Sequence, residues 1–146
     1  VGRYGHNNIK LGFMKGFKLR EGAVASSIAH DSHNLIAVGI DKKDMVKSIN
    51  TIIEMNGGLT IVKDNQVLVK LQLPIAGLMS DKPVEEVVKK LNKFRTILRR
   101  LGCSLNSPHM ILSFMALTVI PEIKLTDKGL FDVEKFGFVD LIKEGD

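Results

Sequence analysis

Apolar residues come in short blocks separated by polar or glycine-bearing breaks, and the period inside the blocks changes along the chain. Stretches 22–29 and 35–40 read as strands, with a polar run between them that suits a hairpin or bulged connection. Asp41 then stands where a side chain caps a new helix, with Asp44 placed as the reciprocal acid of a weak capping box. Met45, Ile49, Ile52 and Ile53 follow at helical spacing on one face, and Gly57-Gly58 ends that helix where left-handed backbone is needed. Stretches 59–63 and 66–71 flank Asp64-Asn65, the composition of a two-residue hairpin turn. This order predicts an α+β fold: a mixed β-sheet built from two hairpins joined by a helical crossover, with helices packed on the sheet.

A longer helix follows Ser80-Asp81, with Pro83 in its first turn, Glu85 and Glu86 near its positive end, and Arg95, Arg99 and Arg100 toward its negative end. Val84, Val87, Val88, Leu91, Phe94, Leu98 and Leu101 keep the core period, and Gly102 stops it. Ser107-Pro108 opens an element through 110–117 that periodicity leaves between strand and buried helix, limited by Pro121. The tail carries a turn signal at Asp127-Lys128-Gly129, and Phe131, Val133, Phe136 and Phe138 predict a packed extension. Glycines punctuate the apolar run 11–17, which reads as a strand or turn with close backbone approaches; a truncated N-terminal strand within 1–20 is one option. With 45% hydrophobic residues, residues 1–146 fit one domain whose core needs neither disulfide nor structural metal.

Composition narrows the function classes. The lone Cys103 rules out an internal disulfide framework and fits a reducing, cytoplasmic setting, packed as a small apolar side chain near a helix end. The net charge of +5 is dispersed among carboxylates, and 5% aromatic content leaves few stacking platforms, so nucleic acid is not the expected partner. The longest apolar stretch, 110–120, falls short of the ~20 residues that cross a bilayer. No signal-peptide pattern opens the chain, and Val1-Gly2-Arg3 without Met suggests a processed chain or a piece of a longer one.

The densest chemistry is the run His30, Asp31, Ser32, His33 and Asn34, which gathers two imidazoles, a carboxylate, a hydroxyl and an amide between two apolar strands. Imidazoles three apart in a turn, with Asp31 as an oxygen ligand, suit a metal or substrate contact. A polar turn satisfying its own backbone, or an interface, fits the same residues. Met79, Ser80 and Asp81, after a Pro- and Gly-bearing stretch, read as a pocket loop or as the cap of the next helix. Ser26 and Ser27 precede the histidines, but no Gly-x-Ser-x-Gly elbow accompanies them. His6 and His109 stand alone in sequence and read as ordinary histidines. The cytidine-deaminase pattern needs Pro-Cys-x-x-Cys, which one cysteine cannot supply.

Three strings in register, Ala29-His30-Asp31-Ser32-His33-Asn34, Leu73-Pro74-Ile75-Ala76-Gly77-Leu78-Met79-Ser80, and Val119-Ile120-Pro121-Glu122-Ile123-Lys124-Leu125-Thr126-Asp127-Lys128-Gly129-Leu130, resemble the carboxy-terminal region of bacterial and archaeal adenine deaminases. Arg3-Tyr4-Gly5, Gly12-Phe13-Met14-Lys15-Gly16-Phe17 and Gly57-Gly58 fall in the same order, so the resemblance covers nearly the whole chain.

The resemblance implies the amidohydrolase superfamily, in which adenine and water become hypoxanthine and ammonia at a metal centre inside a (β/α)8 barrel. That barrel needs ~250 residues, and the His-x-His that begins its ligand set does not occur in this chain. The implied role is therefore an accessory domain of a cytoplasmic purine-salvage enzyme, inactive alone. Its expected partners are its own upstream barrel and further copies in a homo-oligomer, with a divalent manganese, iron or zinc ion in the complete enzyme and adenine as that enzyme's substrate. On this view the 30–34 turn packs toward the barrel mouth or a neighbouring subunit. A competing view makes the chain a stand-alone binding or oligomerisation module, using the basic helix around Arg95 to Arg100 or the apolar tail.

Overall fold

A computed structural model describes residues 1–5 and 8–142. The expected hairpins and crossover form a four-stranded sheet in the order β2-β1-β3-β4. β1 (Ala23–Ser26) pairs with β2 (Ile36–Gly39), and β3 (Gly58–Lys63) pairs with β4 (Gln66–Gln72); between the two hairpins runs α1 (Lys42–Glu54). The crossover strands β2 and β3 do run parallel, but β1 lies between them and pairs antiparallel with each, so every bonded pair in the sheet is antiparallel. A helix that crosses over one strand rather than returning beside its own satisfies the same chain order.

Alternation along the strands puts helices on both faces. Val24, Leu59 and Ile61 join a core with Phe94 and Leu98 of α2 (Val84–Arg100) and Leu112 of α3 (Pro108–Phe114). Ala25 points the other way, into a smaller cluster with Ile52 and Met55 at the end of α1. The ambiguous 110–117 stretch is thus a short helix, ending before Pro121 is reached.

Helix α1 begins as the sequence predicts, with Asp41 accepting from the Lys43 and Asp44 N–H groups, but its buried face is turned from the apolar one. Asp44, Ser48, Thr51 and Ile52 are buried, while Ile53 is 56% exposed. The helix starts close against the sheet, since a Cβ on Gly39 would sit 2.6 Å from Met45 Cγ. Ser48 and Thr51 return their hydroxyls to the Met45 and Lys47 carbonyls, which removes the penalty for burying them. Asp44 closes no capping box. Its carboxylate instead accepts from the Asp64 and Asn65 N–H groups, at 3.2 and 2.7 Å, and ties the β3–β4 turn to α1. Both turn residues have positive φ, 52° and 60°, as a two-residue turn matched to strand twist requires.

In α2, Phe94 and Leu98 are buried, as is Leu101 at its end; Val87 and Leu91 pack at the margin, and Val84 and Val88 face solvent. Pro83 is the N-cap residue rather than part of the first turn. Cys103 is buried just beyond the helix end. The 11–17 run forms no strand, and none occurs among the described residues of 1–20. Gly12 nevertheless supplies the expected close approach, because a Cβ there would lie 3.2 Å from Leu130 Cδ2.

The tail folds into a second, antiparallel sheet of β5 (Ile123–Leu125), β6 (Leu130–Asp132) and β7 (Gly137–Val139). The predicted turn at Asp127-Lys128-Gly129 is closed by reciprocal Thr126 and Gly129 backbone bonds. Burial of all the tail aromatics is not found. Phe136 is 84% exposed and Phe138 is also exposed, both packing edge-to-face on Phe131 with centroids 5.5 and 5.4 Å away.

Candidate functional site

The 30–34 turn closes the β1–β2 connection, and its backbone sets its shape before its side chains do. His33 N–H donates to the Ala29 carbonyl at 2.7 Å, and Ala29 N–H points back at His33 Nδ1 at 3.4 Å. His30 N–H donates to the Ser113 carbonyl, and its ring stacks on Phe114 with centroids 5.3 Å apart, so α3 fixes one side of the turn. The two imidazoles meet edge-on at 5.2 Å between centroids. Asp31 and Ser32 are exposed, and Asn34 donates to Ser32 Oγ at 3.3 Å.

Residues distant in sequence hold the other side. Arg3 N–H donates to Asn34 Oδ1 at 3.0 Å, Tyr4 Oη reaches the His33 carbonyl at 3.5 Å, and the Arg3 guanidinium donates to the Ala76 carbonyl at 2.9 Å. Ala76 and Gly77 have positive φ in a tight loop bridged between Ile75 and Met79. Gly77 has no room for a side chain, since an added Cβ would run into the Arg3 guanidinium. Ser27 finishes the junction: its buried hydroxyl donates to the Gly77 carbonyl at 2.5 Å and accepts from Gly58 N–H at 2.8 Å. Arg3-Tyr4, the 30–34 turn, Gly57-Gly58 and the Ala76-Gly77 loop, far apart in the chain, thus meet in one place.

Sequence reasoning found the turn but not its holders. Ser27 drew notice only as a nucleophile; its hydroxyl is engaged with backbone, as is that of Ser26, which donates to the Ile28 carbonyl. Arg3 and Gly77 offered no local signal beyond their motifs. Met79, Ser80 and Asp81 lie at the entry to α2: Met79 is exposed, Ser80 Oγ accepts from Lys82 N–H, and Asp81 pairs with Lys82 at 3.4 Å. They do not line the cavity of about 460 Å³ that opens beside the turn, whose walls include Asp31, Ser32, Asn34, Ile36, Met45 and Phe131. His6 lies outside the described residues.

Among the described residues no three His, Cys, Asp or Glu side chains converge as metal ligands. The turn offers two imidazoles, one of which already accepts a backbone N–H at Nδ1. The donor set therefore does not fit a complete metal centre, which needs three or more protein ligands.

Burial holds the His33 pKa below the usual imidazole value, with the nearby His30 and Arg3 acting in the same direction and Asp31 opposing them. His109, whose Nδ1 is buried without a partner among the described residues, is shifted the same way by burial and by Arg95. A depressed histidine pKa means that the unfolded chain takes up the proton first. Stability should be fully present above about pH 7 and fall as pH drops through the unfolded value near ~6.5. Urea midpoints at pH 7.5 and 5.5 check this: the midpoint should fall on acidification and fall less in His33→Asn, whereas a midpoint that rises would contradict it.

The sequence profile described as "Adenine deaminase C-terminal domain" matches residues 1–137. The chain is 49% identical over 144 residues to an adenine deaminase of Methanosphaera stadtmanae, covering 99% of this chain and 26% of that protein. It is 49% identical to that of Methanococcoides burtonii over 145 residues (99% of this chain, 25% of the relative) and 50% identical to that of Moorella thermoacetica over 143 residues (97% and 24%). The chain spans about a quarter of the length of these relatives. With an α+β fold too small to hold a barrel, and with several of the separated motifs meeting at one junction, the chain belongs to the adenine deaminase C-terminal domain family.

Proposed function

We propose that this chain is the carboxy-terminal portion of a cytoplasmic, metal-dependent adenine deaminase that converts adenine and water to hypoxanthine and ammonia, and that the chain releases no ammonia by itself. The observation that carries the reading is the end-to-end match at about half identity to proteins named adenine deaminase, confined to about a quarter of their length. A divalent metal in the complete enzyme would supply a water made nucleophilic at neutral pH. Its ligands belong, in this reading, to the upstream barrel.

Residues 1–146 act in this reading as one supporting domain, in an enzyme that assembles as a homo-oligomer. The 30–34 turn shapes the edge of the adenine site. Two imidazoles 5.2 Å apart, with a carboxylate and an amide in the same turn, suit the donors and acceptors of a purine, and Arg3-Tyr4 and α3 hold the turn in place. Such positioning acts on rate through orientation rather than through proton transfer.

In the full-length protein, His30→Ala and His33→Ala should each lower kcat/KM for adenine by about tenfold or more, the scale on which lost positioning is felt, while the urea midpoint moves little. Steady-state kinetics on both variants check this. Wild-type kinetics in both would remove the turn from the adenine site, and a stability loss with unchanged kinetics would make it a structural turn.

A further inference from the structure

The sheet has an open edge, and the start of the chain is already bonded to it. Val1 N–H donates to the Leu35 carbonyl at 2.8 Å and Leu35 N–H donates to the Val1 carbonyl at 2.9 Å, the reciprocal pair of an antiparallel ladder. Arg3 lies against Asn34 and Tyr4 against His33, so the chain runs away from β2 as its numbering rises. A segment continuing this ladder ahead of Val1 would run back along β2.

The ladder parity also matches. Ile40 N–H donates to the Gly22 carbonyl, so Ile40, Val38 and Ile36 turn their backbone groups toward β1. Leu35, Ala37 and Gly39 turn theirs outward. Leu35 is taken by Val1, while the same parity turns the N–H and C=O groups of Ala37 and Gly39 away from β1, and outside the strand ladders no backbone bond reaches them among the described residues. Beside them lies the cavity of about 460 Å³, walled by Val1, Leu35, Ala37, Met45 and Ile49 and, across the gap, by Phe131. An edge strand with unpaired groups and an apolar trough beside it is a site for strand addition.

We infer that the polypeptide immediately upstream of Val1 forms a fifth strand of this sheet, antiparallel to β2, with the residue two positions before Val1 opposite Ala37 and the residue four positions before it opposite Gly39. The inference rests on the reading that this chain continues an upstream part such as its relatives carry, of which it spans about a quarter. The added strand would make the domain and the upstream part share one sheet rather than a flexible tether, and would give the 30–34 turn a fixed position relative to whatever precedes it.

Residue-resolved amide hydrogen exchange on the full-length protein tests the register. The Ala37 and Gly39 amides should exchange within about tenfold of Val38, which is bonded to β1, and at least about 100-fold more slowly than the exposed Ser32 amide. Exchange of Ala37 and Gly39 at the Ser32 rate would overturn the inference. So would protection that disappears on dilution, because a second copy would then be covering the edge. Ammonia release from adenine, measured on the same sample, reports on the adenine deaminase reading separately, so either idea can fail alone.

Discussion

Ser27→Ala should destabilise the protein by about 2–6 kcal/mol, since it strands two backbone groups at roughly 1–3 kcal/mol for each buried group left unpaired. The Ser27 hydroxyl is fully buried and holds the Gly77 carbonyl and the Gly58 N–H together. The Ala76-Gly77 loop should then lift, taking with it the Ala76 carbonyl that anchors Arg3, and the 30–34 turn should lose a support without being touched. Denaturant melts give the stability change, and exchange at the Arg3 amide, which donates to Asn34 Oδ1, gives the propagated loosening. A stable variant with unchanged exchange at the Arg3 amide would show that the junction does not transmit order to the turn.

Phe94→Ala should cost about 3–5 kcal/mol, the scale of a large side chain removed from a packed core. Phe94 is fully buried where α2 crosses the sheet, in one cluster with Leu59, Ile61, Leu71 and Leu98. The loss should appear as a lower urea midpoint with an unchanged slope, because the surface exposed on unfolding is the same. Phe94→Leu should recover most of it. A cost below about 1 kcal/mol would mean that the α2 face is loosely packed and that α1 carries the core.

Legibility in the sequence follows how local each determinant is. The Asp64-Asn65 turn and the Asp41 cap are decided within a few residues and stand where pattern puts them, whereas α1 stops one residue before Gly57-Gly58, at Asn56, which takes the left-handed φ of 60°. The inward face of α1 is not local. Ser48 and Thr51 are buried by the way α1 lies on β1 and β3, a fact belonging to other strands, and periodicity alone therefore chose Ile53. Strand order fails to be local in the same way: both a parallel neighbour and a jump over β1 follow the chain order, and pairing across the sheet decides between them. Phe136 and Phe138 show the converse limit, where aromatic content predicts burial and an edge-to-face cluster on Phe131 forms in the open.

The same distinction governs the site. The 30–34 run is conspicuous because five polar residues interrupt apolar strands. Its holders are not, because Arg3 acts through contacts separated by 31 and 73 positions, and Ser27 through one separated by 50. What the fold adds is the reason four of the motifs keep company: Arg3-Tyr4, the 30–34 turn, Gly57-Gly58 and the Ala76-Gly77 loop meet at a single junction.

The most direct test is ammonia release from adenine, measured side by side for the full-length protein and for residues 1–146 alone. Release by the full-length protein and none by residues 1–146 is the predicted result. Release by residues 1–146, or none by the full-length protein loaded with divalent metal, would contradict the account.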